Sequence, residues 1–440
     1  MIVMKFGGTS VGSAERIENV ANIVKSYIKR KPVVVVSAVT KITDALIKLG
    51  EDAAKGNGND SFEHIKKTHM EILGQLKMDR SMLDNDLKEL QALAARTISS
   101  RLADEKTMDH FQSFGERMSS KIVAEQLNKI GAEAKAFNAW ELGFLTDNEF
   151  GNAEPLESAY RSLDKNIKKL KIVPVVTGFI GKTEYGAITT LGRGGSDYTA
   201  AIIGAAVSAD EIQIWTDVNG VMSTDPKIVP NAKTLEKVSF AEASELAYFG
   251  ARVLHPKTIL PAMKKNIPVK VLNSFNPKNK GTMIINELYK NRYAVKAIAY
   301  KKNIILINIE STRMLGAYGF LERLFDIFYK YRKSVDVVST SEVSVSLTID
   351  NDEHIEEIVK ELKEISEVNL LKNKAIICVV GEGMRQTPGI AGRTFTALGK
   401  HRINIEMISQ GASEINITFI VDGKDGEKAV KVLHKEYYGG

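Results

Sequence analysis

Cysteine is almost absent from this chain. Cys378 is the single one among 440 residues, which excludes an intrachain disulfide framework and fits a reducing compartment, the cytoplasm. It lies in K-A-I-I-C-V-V-G, a strand-like run that makes it a core thiol. Histidine is scarce too. His64, His69 and His110 do not fall at metal-ligand spacing, so solvated histidines and no metal site of the protein's own are expected. Long apolar stretches are missing. The uncharged run Tyr198–Ala209 covers twelve residues, short of the roughly 20 needed to span a bilayer, so no membrane partner is expected. The opening M-I-V-M-K-F-G-G lacks the pattern of a secretory signal. The net charge of +6 is modest and its lysines are scattered, so no nucleic-acid partner is expected. What remains, 44% hydrophobic and 26% charged residues, describes an ordinary globular protein of two to four domains.

Glycine, by contrast, is concentrated where chemistry would need it. In T-T-L-G-R-G-G-S-D, Thr189–Asp197, three glycines let backbone amides approach a ligand closely and form a nest for phosphate oxygens. Arg193 offers a planar fork for a carboxylate or phosphate. Ser196 and Asp197 open the uncharged run, which reads as a buried helix with its N-terminus at the nest. A plain capped glycine turn explains the spacing equally well, and the loop matches neither G-x-x-x-x-G-K-[ST] nor G-x-G-x-x-G.

A second glycine turn follows the first strand, Ile2–Phe6, whose one charge is Lys5. Gly7-Gly8-Thr9-Ser10 leads to a helix capped by Ser13, with Ile17, Val20, Ala21, Val24 and Ile28 at helical spacing. Strand, glycine turn, helix is a phosphate-cradling layout, and a lysine at a strand's carboxyl end reaches across it; a snorkelling surface lysine is the alternative. Val33–Val36 reads as a strand covered on both faces, with Ser37 and Thr43 just beyond its end. From about 45 to 110 the pattern is helical, a subdomain inserted at the sheet edge. Ser113 and Glu116 have capping-box spacing, so Glu116 reads either as a cap or as a carboxylate for a substrate ammonium. Strands are expected at Ala134–Phe137, Val173–Phe179, Glu211–Trp215 and Val269–Leu272, the last closing the sheet. Asp217 and Asp225 lie in turn-rich sequence and could serve a ligand or simply the turns. Asn273–Thr282 reads as a linker.

The remainder, from about 295, contains a repeat. Gly319–Ser339 aligns with Gly389–Ser409, pairing Arg323 with Arg393, Phe325 with Phe395, Lys330 with Lys400 and Asp336 with Glu406. Two βαββαβ modules related by duplication are expected, 295–370 and 371–440, either separate or interleaved.

Together these motifs carry a resemblance. K-F-G-G-T-S at Lys5–Ser10, F-G-E-R at Phe114–Arg117, T-T-L-G-R-G-G-S-D, W-T-D-V-N-G at Trp215–Gly220 and L-H-P at Leu254–Pro256 resemble the aspartate kinase family, in that family's order. The duplicated tail resembles paired ACT regulatory domains, with S-V-D at Ser334–Asp336 and T-S-E-V-S-V at Thr340–Val345. The resemblance implies an α/β catalytic domain over 1–285 with the amino-acid-kinase (carbamate-kinase-like) fold: a three-layer sandwich around a mostly parallel sheet, followed by two ferredoxin-like ACT domains. It implies phosphoryl transfer from ATP, with Mg2+ carried by the nucleotide, to the β-carboxylate of L-aspartate. Lys5 and Asp197 would be catalytic. Ser37, Thr43, Glu116, Phe179, Arg193 and Ser196 would bind substrate, Glu116 taking the ammonium and Arg193 a carboxylate. Gly7, Gly8, Gly194, Gly195, Thr216, Asp217, Met222, Lys227, Arg252 and Val253 would hold the nucleotide.

The resemblance further implies feedback by lysine or threonine. Its effector site would comprise Met314, Ala317, Gly319, Phe320, Leu321, Ser334, Val335, Asp336, Ser341 and Glu342. A homodimer or dimer of dimers through the ACT modules is expected. Three residues depart from the family pattern: Met222 stands where tyrosine is frequent, Arg252 where lysine is, and Ala317 where lysine-inhibited relatives tend to have serine. The absence of a homoserine dehydrogenase half after Gly440 leads to the expectation of a monofunctional enzyme. A kinase of the glutamate type and a non-catalytic amino-acid sensor are the competing readings. Lys5, Glu116, Arg193 and Asp197 together argue against the sensor, while F-G-E-R and the paired tail argue against the glutamate kinase.

Overall fold

The computed structural model describes residues 1–250, 256–286, 294–314, 318–411 and 415–439. They form two compact units: Met1–Val221 with Glu236–Phe240 and Val253–Glu287, and Met222–Leu235 with Ala241–Arg252 and Leu288–Gly440.

The first unit begins with β1 (Ile2–Phe6), α1 (Ala14–Ser26) and β2 (Pro32–Val36). Four helices follow, α2 (Ile42–Ala54), α3 (Asn59–Gln75), α4 (Asp84–Ser100) and α5 (Glu105–Lys129). Next come β3 (Ala134–Phe137), β4 (Leu145–Thr146), α6 (Glu157–Ile167), β5 (Val173–Thr177), β6 (Ile180–Thr183), β7 (Ile188–Thr190), α7 (Gly195–Val207) and β8 (Glu211–Thr216). The chain continues through β9 (Lys237–Ser239), α8 (Phe240–Tyr248), α9 (Pro256–Lys264), β10 (Val269–Asn273) and β11 (Thr282–Ile285). The main sheet has eight strands in the order β3-β5-β2-β1-β8-β10-β11-β9. It is parallel from β3 to β10, and only the β10–β11 pairing is antiparallel. A small sheet, β4-β6-β7, lies in the same unit.

Period two along β1 sorts its side chains between two helical layers. Ile2, Met4 and Phe6 belong to the core built with α1 to α5. Lys5 therefore projects to the other face, the side of α7. Valine fills β2, and its side chains are at most 1% exposed; a strand buried on both faces needs no alternation. α7 is similarly apolar on nearly every side, as a helix between two layers must be. The order around β1 reverses direction between β2 and β8, and open α/β sheets bind ligands beyond the strand ends at such a switch point. Gly7 and Gly8 lie there.

Several expectations are corrected. α1 stops at Ser26, and Ile28 falls in a 3-10 turn, 40% exposed. Ser113 caps nothing: α5 runs unbroken from its N-cap Asp104, and the buried Ser113 hydroxyl donates to the His110 carbonyl. The capping-box account of Glu116 thus fails. His69 is fully buried rather than solvated; Nδ1 contacts the Ile65 carbonyl at 2.8 Å and burial lowers its pKa. The Val173 strand ends at Thr177. Val269–Leu272 does not close the sheet, and Asn273–Thr282 is no linker but the connection from β10 into its antiparallel neighbour β11.

The second unit carries β12 (Ala297–Glu310), α10 (Phe320–Lys330), β13 (Val338–Thr340), β14 (Ser344–Ile349), α11 (Ile355–Leu362) and β15 (Glu367–Val380). It finishes with α12 (Ile390–Lys400), β16 (Met407–Ser409), β17 (Asn416–Asp422) and α13 (Gly423–Tyr438). Its strands form a single antiparallel sheet, β13-β14-β12-β15-β17-β16. The repeat is visible residue by residue. Gly319 and Gly389 cap α10 and α12 in the left-handed conformation, at φ 74° and 83°, where glycine carries no Cβ penalty. Asp336 pairs with Lys301 at 2.7 Å, and its counterpart Glu406 pairs with Lys374 at 2.7 Å. Cys378 lies in β15, fully buried.

Candidate active site

One cavity of about 510 Å³ opens at the carboxyl ends of β1 and β2. Its lining includes Lys5, Ser37, Thr43, Glu116, Phe179, Gly192, Arg193, Gly194, Gly195, Ser196 and Asp197, all anticipated from the sequence, with Thr190 of the same glycine-rich motif, and Gln112 and Gly151, which were not anticipated.

Lys5 meets Asp197 at 2.6 Å, and both side chains are largely buried, at 11% and 14% exposure. Lys5 is held by a central strand, opposite Val35 on one side and Ile214 on the other. Asp197 stands in the first turn of α7, where the helix dipole favours a carboxylate. Lys5 is therefore no snorkelling surface residue. Gly7 stays close, since a Cβ there would lie 3.5 Å from the lysine Nζ.

Glu116 comes from the middle of α5. Its Oε1 accepts the Ala38 amide at 3.0 Å, while the buried Oε2 has no hydrogen-bond partner among the described residues. Burial pushes the carboxyl up to about 8, against the Ala38 amide and the charge of Lys5. Gly115 makes this arrangement possible. A Cβ there would stand 2.6 Å from the Ala38 side chain, so the helix could not come as close to the Ser37–Ala38 turn. Arg117 turns the other way, to Asp86 at 3.1 Å and Glu89 at 2.5 Å, and its hydrogen bond, helped by its charge, holds Glu89 down at about 2. In F-G-E-R, the glutamate faces the cavity and the arginine ties α5 to α4.

Arg193 lies at the exposed rim, in a loop whose glycines have left-handed φ of 73° (Gly192) and 71° (Gly194). Phe179 also has positive φ, 66°, rare for a bulky residue, with its amide bonded to the Thr199 hydroxyl at 3.0 Å. Gly195 takes the place beside it; a Cβ would come within 2.6 Å of the Phe179 ring.

Asp109, which the sequence left unassigned, supports this loop. Its Oδ2 accepts the amides of Gly151 and Thr190, each at 2.9 Å, and its Oδ1 accepts the Thr190 hydroxyl at 2.7 Å. Burial pushes its carboxyl up while these three donors oppose the shift. The Gly151 segment is anchored further along, where Glu154 receives Tyr198 Oη and Lys257 Nζ, both at 2.6 Å.

Of the expected nucleotide residues, Thr216 and Asp217 follow β8, with the threonine hydroxyl donating to Asp217 at 3.2 Å. Lys227 lies in a turn that Asp225 closes by accepting its amide at 2.8 Å. Met222 accepts the Thr234 hydroxyl at its sulfur, 3.4 Å away, and with Lys227 belongs to the second unit. Arg252 and Val253 lie outside the described residues, as does Leu254-His255 of the L-H-P motif. Among the described residues no group of three His, Cys, Asp or Glu side chains is arranged to hold a metal ion, and no helix is long and apolar enough to cross a membrane.

In the second unit the expected effector residues surround the start of α10 and the β13–β14 hairpin. Asp336 is not a solvated turn charge: besides Lys301, it receives the Tyr248 hydroxyl at 3.1 Å. Glu342 is exposed at the hairpin turn, beside Ser341, whose hydroxyl meets that of Ser344 at 2.7 Å. Ala317 lies outside the described residues.

Comparison with known proteins gives the family. Residues 1–273 match the amino acid kinase family, and residues 377–437 match an ACT domain. Aspartokinase 1, chloroplastic, of Arabidopsis thaliana is 42% identical across 99% of this chain and 80% of its own length. The chain belongs to the aspartokinase family. The lysine-sensitive aspartokinase 3 of Escherichia coli is 34% identical over 100% of this chain and 99% of its own. The crystal structure of E. coli aspartokinase III with aspartate and ADP superposes with a TM-score of 0.85, at 34% identity and full coverage of both chains. That enzyme with lysine and aspartate, described as the T-state, gives 0.83. The aspartokinase fold, a mostly parallel kinase sheet with an ACT-type tail, is thus the fold observed here.

Proposed function

We propose that the cavity transfers the γ-phosphoryl group of ATP to the β-carboxylate of L-aspartate, yielding ADP and 4-phospho-L-aspartate. The observation that carries this reading is Glu116, a buried carboxylate with one oxygen left for a ligand, in the same cavity as the Lys5–Asp197 pair. A substrate ammonium satisfies that oxygen and brings the charge that burial otherwise disfavours. Arg193 takes a substrate carboxylate in a bidentate fork, and Ser37, Thr43, Ser196 and Phe179 fix its orientation. One oxygen of the β-carboxylate attacks the γ-phosphorus, and the bond to the β,γ-bridging oxygen breaks with its electron pair leaving on ADP. Such a transfer needs alignment and charge neutralisation. Lys5 neutralises the moving phosphoryl group, Asp197 aims the lysine, and the amides of Gly8 and Gly194 donate to phosphate oxygens, while those of Gly7 and Gly195 are bonded to the Trp215 and Gly192 carbonyls and leave their residues only the room for close approach.

Mg2+ would be carried by the nucleotide and would add positive charge at the phosphoryl group being transferred. Thr216, Asp217, Met222, Lys227, Arg252 and Val253 hold the nucleoside end. Residues 1–285 form the catalytic domain, and 295–370 and 371–440 the two regulatory modules. Lysine is the first candidate for feedback inhibitor, threonine the second, bound at Met314–Leu321 and Ser334–Glu342. The E. coli relative solved with lysine supports that order. A homodimer or dimer of dimers through the tails places a second copy against the sheet edges. A cytoplasmic location suits the single buried thiol.

Trapping the acyl phosphate with hydroxylamine tests the reaction. Aspartate with ATP should give a hydroxamate, and glutamate should give far less. Equal yields from both, or none from aspartate, would overturn the assignment.

A further inference from the structure

Asp109 and Glu116 occur seven residues apart on one face of α5, with Gln112 between them, a rise of about 10 Å. Gln112 and Glu116 line the cavity, and so do Gly151 and Thr190, the two residues that Asp109 binds. Thr190 ends β7 and is followed directly by Leu191-Gly192-Arg193. Gly151 begins the stretch that packs under Gly192: a Cβ on Gly192 would stand 3.1 Å from the Gly151 carbonyl and 2.9 Å from the Asn152 side chain. The Thr190 carbonyl also accepts the Ala153 amide at 2.9 Å, fastening the two segments to one another. A single buried carboxylate thus gathers both segments that border the Arg193 loop, and it belongs to the same rigid helix as the group at the cavity's other charged end.

We infer that Asp109 is a positioning residue which fixes the Arg193 loop relative to Glu116, so that α5 sets the spacing between the cavity's carboxylate and ammonium sites. This rests on the proposed roles of Arg193 and Glu116. Asp109 touches no reacting atom. It acts by removing freedom from a glycine-rich loop that would otherwise sample many placements of the guanidinium. The consequence is affinity for the zwitterion: a guanidinium held from the same helix as the ammonium site meets both charges of the substrate at once, where a slack loop does not.

The test uses the full-length protein. Asp109→Ala should raise the KM for aspartate by about tenfold or more and leave the KM for ATP within about twofold, because misplacement of a binding group falls on the ligand it holds. Asp109→Asn should recover most of the loss: its amide oxygen accepts the two backbone amides and its nitrogen donates to the Thr190 hydroxyl, which accepts instead. Thr190→Val, which keeps both backbone bonds, should shift the aspartate KM in the same direction by less, and it decides the matter if Asp109→Ala does not fold. An unchanged aspartate KM in Asp109→Ala, or in Thr190→Val where the alanine variant is insoluble, overturns the inference, as does an equal rise in both KM values. Arg193→Ala separates the two layers. If it leaves the aspartate KM intact, the carboxylate role of Arg193 fails; if it raises that KM while Asp109→Ala does not, only the positioning role fails.

Discussion

The ammonium of Lys5 and the carboxylate of Asp197 meet at 2.6 Å although they lie 192 positions apart in sequence (197 − 5). The pairing follows from two local rules. Alternation along β1 turns Lys5 away from the α1–α5 layer, and α7 enters the opposite layer with Asp197 in its first turn. Lys5→Ala is expected to lower kcat by about 10²-fold or more, the scale of removing one transition-state donor. The aspartate KM should move much less. Steady-state kinetics with a thermal melt as folding control checks this, and a normal kcat would remove Lys5 from the mechanism.

Glu116 gives the enzyme a pH signature. Its carboxyl titrates at about 8 in the folded protein against 4.5 as a free side chain. Below that pH it is largely protonated and must lose its proton to receive an ammonium, so the KM for aspartate should fall as pH rises toward about 8, by up to tenfold per unit. Glu116→Gln should raise that KM and flatten its pH dependence. The same shift acts on stability with a fixed sign. The folded state binds more protons than the unfolded one between the two pKa values, so ligand-free protein loses this group's share of stability as pH climbs through that window and retains it below. Urea midpoints at pH 6 and pH 8.5, wild type against Glu116→Gln, would expose the opposite trend.

Arg193→Lys keeps the charge but loses the fork. The aspartate KM should rise by about tenfold, since a point charge cannot reproduce two parallel N–H bonds. A lysine variant with wild-type affinity would show that Arg193 supplies charge alone.

Asp336 already has a cation. An effector ammonium directed at it competes with Lys301 and with the Tyr248 hydroxyl. Lys301→Met should therefore lower the lysine concentration giving half inhibition by about five- to tenfold, within the usual range of coupling energies. Glu342→Ala should weaken inhibition while basal turnover stays the same. If lysine titrations of both variants overlay the wild type, the effector binds elsewhere.

A second ion pair in the C-terminal unit tests stability rather than regulation. Lys296 and Glu242 meet at 2.6 Å with side chains 3% and 0% exposed, and the same glutamate accepts the Glu382 amide at 2.9 Å. Lys296→Met removes one cation from a buried carboxylate and should lower stability in denaturant unfolding, by up to about 3–5 kcal/mol, the scale of breaking a buried ion pair. Adding Glu242→Gln, which keeps the acceptor for the amide, should return part of that loss.

Where a signal was local, the sequence carried it. The valines of β2, the lone lysine of β1 and the glycines around Arg193 each act within a few residues, and the repeat emerged because α10 and α12 kept their caps, lengths and acidic partners. Asp109 was missed because nothing near it in sequence reveals its three donors, which arrive from residues 151 and 190. The segment holding Gly151 has neither helical nor strand period, so its packing beneath Gly192 could not be read. Ser113 was misread for the opposite reason: capping-box spacing occurred in mid-helix, where the real start, Asp104, lies nine residues upstream. Turn-forming residues made Asn273–Thr282 resemble a linker, although a loop between antiparallel neighbours uses the same residues.

Trp215, buried in β8, is stacked on Phe6 with ring centroids 5.9 Å apart, and its indole N–H donates to Gln213 at 3.0 Å. The chain holds two tryptophans. The other, Trp140, is partly open to solvent with the Lys182 ammonium over its ring at 5.5 Å. Their fluorescence therefore separates by environment. Iodide should quench Trp140 and spare Trp215, which is 1% exposed and should emit to the blue of Trp140. Trp215 immediately precedes Thr216, at the end of the strand expected to meet the nucleotide, so the emission that survives iodide is an intrinsic optical gauge of that strand end, requiring no attached dye.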